Sequence, residues 1–315
     1  MSVLITGASG FVGSALCAHL TARGQVVTGA VRSIPEKKMT GVDYRIVAAL
    51  NADTDWQEVF TGVDKIVHCA ARVHVMHETG AEALEAYREV NVKGTIRLAE
   101  QASDNGIGRF VYLSSIKVNG ENTTSHPFNP EDLPAPEDPY SISKWEAEQA
   151  LKRISAKTGL EVVIIRPPLV YGPGVGANFL RLMQVLNLRI PLPFGAIHNS
   201  RSLVALDNLI DLIAICLNHP KAADQIFLVS DGDDLSTTTL LLRIANALGK
   251  PAHLIPVKAS LLWAVARLLG KVDLTHRLCG SLQIDIGKTR DLLGWSPSIS
   301  SDEALKKTAK HFLKK

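Results

Sequence analysis

A phenol and an ammonium one helical turn apart are a proton-transfer pair in the right setting, and Tyr140-Ser141-Ile142-Ser143-Lys144 places them at i and i+4 on one helix face. By itself that spacing is an ordinary surface pair. Three neighbours set it apart: Ser114-Ser115 at the end of the fifth strand, a loop that leads from that strand into the tyrosine helix, and a glycine motif at the start of the chain. The motif, Gly7-Ala8-Ser9-Gly10-Phe11-Val12-Gly13, follows the apolar run Val3-Leu4-Ile5 directly. One glycine permits a tight bend, a second lets backbone approach a pyrophosphate, and a third lets the new helix pack close to the strand. The helix start then offers free N–H groups and a positive dipole end to phosphates.

Residues 25–32 form the next strand, which ends in Val31 and Arg32. In a dinucleotide fold an acidic residue at this place accepts hydrogen bonds from the ribose 2′-hydroxyl. Arginine cannot accept them, but it can pair with a 2′-phosphate. The expected cofactor is therefore NADP(H), with NAD(H) as the alternative. His68, His74 and His77 fit no zinc spacing and lack a completing set of carboxylates or cysteines, so no metal is expected. His74 follows the fourth strand and stands within reach of a substrate.

The elements that must position these groups alternate. Strands are predicted at residues 44–47, 65–69, 109–114 and 161–166, with a long helix over 81–103. That rhythm implies an α/β fold, a Rossmann-like doubly wound parallel sheet covered on both faces. His68-Cys69-Ala70-Ala71 ends the fourth strand in small residues, which leaves room for a cofactor. Asn91-Val92-Lys93-Gly94 weakens the long helix from within, so it either bends there or serves the site behind it. Asp138 can cap the tyrosine helix, with Pro139 as its first residue. Beyond Gly174 the alternation stops, giving a smaller, discontinuous C-terminal substrate-binding region. The expected division is 1–166 with 201–232 for the dinucleotide, and 167–200 with 233–315 for the substrate.

Composition excludes several classes. Thirty-four Lys/Arg against 31 Asp/Glu give a net +3, and no basic run argues for nucleic acid. The four cysteines form no CxxC pair and suit a reducing, cytoplasmic setting. With the glycine motif starting at Gly7, no secretory signal is expected. The apolar stretch 261–269 is half the length of a membrane span and is read as a core helix rather than an interfacial one.

Taken together, these motifs resemble the extended short-chain dehydrogenases/reductases of the nucleotide-sugar epimerase/dehydratase group. Arg166-Pro167-Pro168, Tyr171-Gly172-Pro173-Gly174, Arg201-Ser202-Leu203-Val204 and Gly294-Trp295-Ser296-Pro297 extend the match over nearly the whole chain. The resemblance implies that Tyr140 is the general acid/base, its pKa lowered by Lys144 and by the nicotinamide charge. Lys144 also holds the nicotinamide ribose, and Ser115 hydrogen-bonds the reacting oxygen. It further implies cofactor contacts at Gly7, Ser9, Gly10, Phe11, Val12, Gly13, Arg32, Cys69, Ala70, Ala71, Asn91 and Pro167. A UDP-linked sugar would meet His74, Asn119, Asn178, Arg201 and Arg277, and a homodimer would form through the 81–103 and 139–157 helices.

Within that group, 4,6-dehydratases carry an Asp-Glu pair where this chain has Ile116-Lys117, which argues against dehydration. Arg32 favours NADPH-dependent reduction of a UDP-4-keto-6-deoxy-N-acetylhexosamine, to the quinovosamine or fucosamine form, in bacterial surface-polysaccharide synthesis. The alternative is a 4-epimerase that retains NAD⁺. A nucleotide-sensing regulator without chemistry is disfavoured by the joint presence of Ser115, Tyr140 and Lys144.

Overall fold

The computed structural model describes residues 1–73, 81–268, 270 and 272–314. Its central sheet has seven parallel strands in the order β3-β2-β1-β4-β5-β6-β9. They are β1 (Ser2–Thr6), β2 (Val26–Val31), β3 (Val42–Ile46), β4 (Lys65–His68), β5 (Arg109–Leu113), β6 (Glu161–Arg166) and β9 (Ile226–Leu228). All five residues of β1 are buried, as a strand covered on both faces requires. Its side chains alternate between layers: Val3 and Ile5 join the cluster around Leu209 and Ile213, and Leu4 joins the opposite one around Leu98 and Leu151. The chain winds outward from β1 in one direction through β2 and β3, then returns to lay β4 on β1's other side. Ligands in open α/β sheets bind at this reversal, beyond the strands' carboxyl ends.

The expected long helix is three pieces: α2 (Ala81–Tyr87), a π turn (Arg88–Lys93) and α3 (Gly94–Asp104). The interruption falls on the Asn-Gly segment. The glycine motif opens α1 (Phe11–Ala22), and α4 (Pro139–Thr158) starts at the predicted place. Asp138 accepts the Ser141 N–H and Ser141 Oγ accepts the Asp138 N–H, a complete capping box.

Past β6, two three-residue strands, β7 (Leu169–Tyr171) and β8 (Leu203–Ala205), pair in a separate parallel sheet. Around them lie α5 (Ala177–Asn187), α6 (Leu206–Cys216) and α7 (Thr237–Ala247). After these come α8 (Ala259–Leu268), α9 (Val272–Cys279), α10 (Gly287–Leu293) and α11 (Ser301–Leu313). A third apolar cluster, with Tyr171, Phe179, Leu241 and Leu305, holds much of this region. One expectation fails here. The stretch read as a core helix forms α8, and Ala266 is its one buried residue. Its apolar positions recur at helical spacing, but the stripe of Leu261, Val265 and Leu268 faces outward.

Candidate active site

A cleft of about 930 Å³ opens along the carboxyl ends of β1, β2, β4, β5 and β6. Gly7 leaves β1 with φ +66°, a left-handed conformation that side chains disfavour, and a Cβ there would lie 3.0 Å from Ala70 beyond β4. The Gly10 N–H donates to Gly7 O at 2.8 Å to close the turn, and Gly10 is the N-cap of α1. A Cβ on Gly13 would collide with the Gly7 carbonyl oxygen. Each glycine thus removes a particular steric conflict, and the helix start lines the cleft with no side chain capping it. These features fit the diphosphate of a dinucleotide.

Gly7, Ser9, Gly10, Phe11, Val12, Gly13, Arg32, Cys69, Ala70, Ala71 and Pro167 all line the cleft, as do Ser115, Tyr140 and Lys144. Val47 to Asn51 and Trp56 close the end near Arg32. Asn91 is elsewhere. Its oxygen accepts the Arg72 N–H at 2.8 Å, and its two N–H groups donate to Arg72 O and Ser143 Oγ. Ser143 in turn donates to Tyr140 O at 2.7 Å. Asn91 is therefore a brace between the segment after β4 and the first turn of α4, buried and with both its N–H groups committed within the protein.

His68 is a second brace. Thr95 Oγ1 spends its one proton on Asn91 O and so accepts from His68 Nε2 at 3.0 Å, which leaves Nδ1 to accept from Thr6 Oγ1 at 2.6 Å. That pattern assigns the proton to Nε2. Burial, then Lys144, lowers the His68 pKa to about 3, so the ring is neutral.

Tyr140 stands in the first turn of α4 with its ring edge-on to Tyr87, centroids 6.1 Å apart. The expected lowering of its pKa is not found. Burial raises it to about 12, with Asp138 and Tyr87 adding to the rise and a hydrogen bond with Ser115 opposing it. Lys144, one turn on, is itself buried, with Nζ 4.2 Å from the centroid of the Tyr112 ring. Burial lowers Lys144 to about 7, and Glu148, then Cys69, pull it back up. The expectation fails because burial outweighs the Ser115 hydrogen bond, and Lys144 is not among the groups that shift the phenol.

Glu148 was not anticipated. It accepts from Arg166 Nε at 2.9 Å and Nη2 at 2.5 Å, and from Ser114 Oγ at 2.5 Å. Arg166 Nη1 donates to Asn119 Oδ1, and Asn119 Nδ2 donates to Asn129 O. Asn119, expected at the substrate, is instead 3% exposed and held in this buried network. Ser114 faces the carboxylate, whereas Ser115 caps a short 3-10 turn (Ile116–Val118) at the cleft wall. Lys117 bridges to Asp138 at 2.7 Å and to Glu121 at 2.5 Å, tying that turn to the start of α4.

The other substrate-side expectations scatter. Asn178 is exposed in the first turn of α5. Arg201 Nη1 donates to Gly280 O at 2.9 Å, just past the end of α9, where Arg277 lies exposed in the last turn. None of the three lines the cleft. His74 lies outside the described residues. Among the described residues no group of His, Cys, Asp or Glu could hold a metal ion.

A profile of the NAD dependent epimerase/dehydratase family matches residues 3–230. The chain belongs to that family. A UDP-glucose 4-epimerase of Vibrio cholerae is 49% identical over 315 residues, covering 99% of this chain and 95% of that protein. A 2-alkyl-3-oxoalkanoate reductase of Stenotrophomonas maltophilia is 28% identical, covering 98% of each. Among solved structures, a UDP-glucose 4-epimerase of Thermotoga maritima superposes with a TM-score of 0.80 at 21% identity, covering 100% of this chain and 99% of that one, a likeness of fold.

As a member of the epimerase/dehydratase family, the chain is an enzyme of nicotinamide-dinucleotide chemistry. The expected 4-keto reduction is overturned by the relative at 49% identity, a 4-epimerase. The error has a physical source. Serine, tyrosine and lysine serve hydride transfer in either direction, so their presence does not separate the two reactions. Arg32, which carried the NADP(H) reading, lines the cleft but is exposed, and an exposed arginine at a strand end does not by itself select a 2′-phosphate.

Proposed function

We propose that this protein is a UDP-hexose 4-epimerase that works with NAD⁺. The observation that carries the reading is the 49% identity with the Vibrio cholerae UDP-glucose 4-epimerase over 99% of the chain. It is supported by Ser115, Tyr140 and Lys144 lying on the wall of one cleft. Bound NAD⁺ would supply a hydride acceptor that returns what it took, so the cycle needs no external reductant.

The chain's own part is proton management and positioning. Tyr140 takes the proton from the sugar O4 as C4 is oxidised and returns it after the 4-ketose has turned its other face. Ser115 hydrogen-bonds O4 and keeps it against the phenol. Lys144 binds the nicotinamide ribose and lends positive charge to the phenolate. The first turn of α1 holds the diphosphate. Tyr140, held at about 12 by burial in the free protein, would be brought down by the positive charge of a bound oxidised nicotinamide. Residues 167–200 with 233–315 are proposed to bind the nucleotide sugar, Arg201 and Asn178 meeting its diphosphate. A homodimer packed through α2, α3 and α4 is the proposed assembly.

The test is incubation of the purified protein with UDP-galactose and no added cofactor. UDP-glucose should form, and denaturation should release NAD. Absence of interconversion for both UDP-glucose/UDP-galactose and their N-acetyl counterparts, with NAD⁺ supplied, would overturn the reading.

A further inference from the structure

The lobe beyond the sheet presents an apolar and basic surface that the cleft does not use. Residues 188–196 run beside 253–258, joined by the Leu192 N–H to His253 O at 2.9 Å, Ile255 N–H to Leu192 O at 2.8 Å and Gly195 N–H to Ile255 O at 2.9 Å. That ladder leads directly into α8, and α8 packs on α9 through the Trp263 and His276 rings, 4.5 Å apart. Along it Leu188, Ile190, Ile255, Leu261, Val265 and Leu268 are all exposed, Leu268 at 87%. The last three recur at i, i+4 and i+7, one stripe down one side of the helix. Single exposed apolar residues are common; a run of six along a continuous ladder and helix marks an interaction surface.

Charge is segregated to the same lobe. Residues 176–200 and 249–284 together hold seven Lys/Arg against Asp273 alone, an excess of +6 in a chain that nets +3, so the remainder carries −3. Of the seven, Arg181, Arg189, Lys258, Arg267 and Arg277 are exposed. A second copy docked here would set like charge against like charge. An anionic surface would be attracted by the whole lobe and would also solvate the apolar stripe. At ten residues α8 is half the length that crosses a bilayer, and no helix among the described residues is long and apolar enough to do so. We propose that this lobe docks on the surface of an anionic phospholipid bilayer, with α8 lying flat in the headgroup region and Leu261, Val265 and Leu268 toward the acyl chains. The inference does not depend on which reaction the cleft performs.

Flotation of the full chain with vesicles of phosphatidylcholine, and of phosphatidylcholine mixed equally with phosphatidylglycerol, tests it. Partition onto the mixed vesicles should exceed that onto neutral ones by about tenfold or more and fall as salt is raised. Lys258→Gln with Arg267→Gln should weaken it by about thirtyfold, the scale for two basic groups, and Leu261→Ser with Leu268→Ser by at least about tenfold. Unchanged melting temperatures would separate lost docking from lost folding. Amide exchange of the parent chain needs no variant, and mixed vesicles should slow it in residues 188–196 and 259–268. Equal partition onto both vesicles, exchange unaltered by them, or serine variants that bind like the parent would each overturn the proposal. So would a parent dimer that the serine variant splits while neither chain binds vesicles.

Discussion

Glu148 receives two hydrogen bonds from Arg166, at 2.9 and 2.5 Å, one helical turn beyond Lys144, in an ion pair whose side chains are 0% and 2% exposed. Removing one partner of such a pair leaves the other charge buried and uncompensated. Glu148→Gln should therefore cost about 3–5 kcal/mol of stability, read by denaturant unfolding. It should also lower Lys144 further, because Glu148 is the largest influence raising it. If charged Lys144 is needed for turnover, the alkaline fall in activity moves to lower pH in the variant. A pH profile identical to the parent's would leave Glu148 with a structural role alone.

Tyr140→Phe keeps the ring against Tyr87 and removes the acid/base group. Turnover should fall by about a hundredfold or more, the usual scale for general acid/base catalysis, while KM for the UDP-sugar changes little. Near-parent turnover would remove Tyr140 from proton transfer.

Arg32 tests the cofactor. With NAD⁺ as the partner, Arg32→Ala deletes an exposed side chain with no 2′-phosphate to meet, and its effect on NAD⁺ binding should stay within about 0.5 kcal/mol. Calorimetric titration with NAD⁺ and NADP⁺ reads it directly. Parent binding of NADP⁺ tighter than NAD⁺, lost in the variant, would reverse the assignment.

His68 makes stability pH-dependent. Its folded pKa of about 3 lies below the 6.5 of an unperturbed ring, so between these values the unfolded chain binds the extra proton. Stability should then fall as pH drops through that window, by roughly 5 kcal/mol if the window is fully traversed. Unfolding free energies at a series of pH values, parent against His68→Gln, isolate the contribution, since the variant should lack this part of the slope.

The parts of the fold legible in the sequence were those set by local physics. Val3-Leu4-Ile5 is apolar throughout because both faces of its strand are covered, and Asp138-Pro139 announces a helix start through bonds made within four residues. The glycine motif was legible because the left-handed turn at Gly7 and the close approach of Gly13 to the Gly7 carbonyl both arise within the motif itself. What failed depends on the surroundings. Asn91 and Asn119 read as polar groups free for a ligand, but an amide's partners are fixed by tertiary contacts, and both side chains are consumed within the protein. The stripe on α8 has the same periodicity whether it faces a core or faces outward. Tyr140's pKa rises rather than falls because burial, invisible in the sequence, outweighs the hydrogen bond with Ser115 that lowers it.

The π turn at Arg88–Lys93 sets how this chain can drift over generations. A wider turn is a helix carrying one surplus residue, and losing that residue would restore a regular spiral while rotating one flank by about 100° against the other. Asn91 and Thr95, which hold Arg72 and His68, would come off their partners together. Exposed connections tolerate gains and losses of residues, but here the reading length itself is under constraint. Relatives that keep the same cleft are expected to align through this segment without a gap.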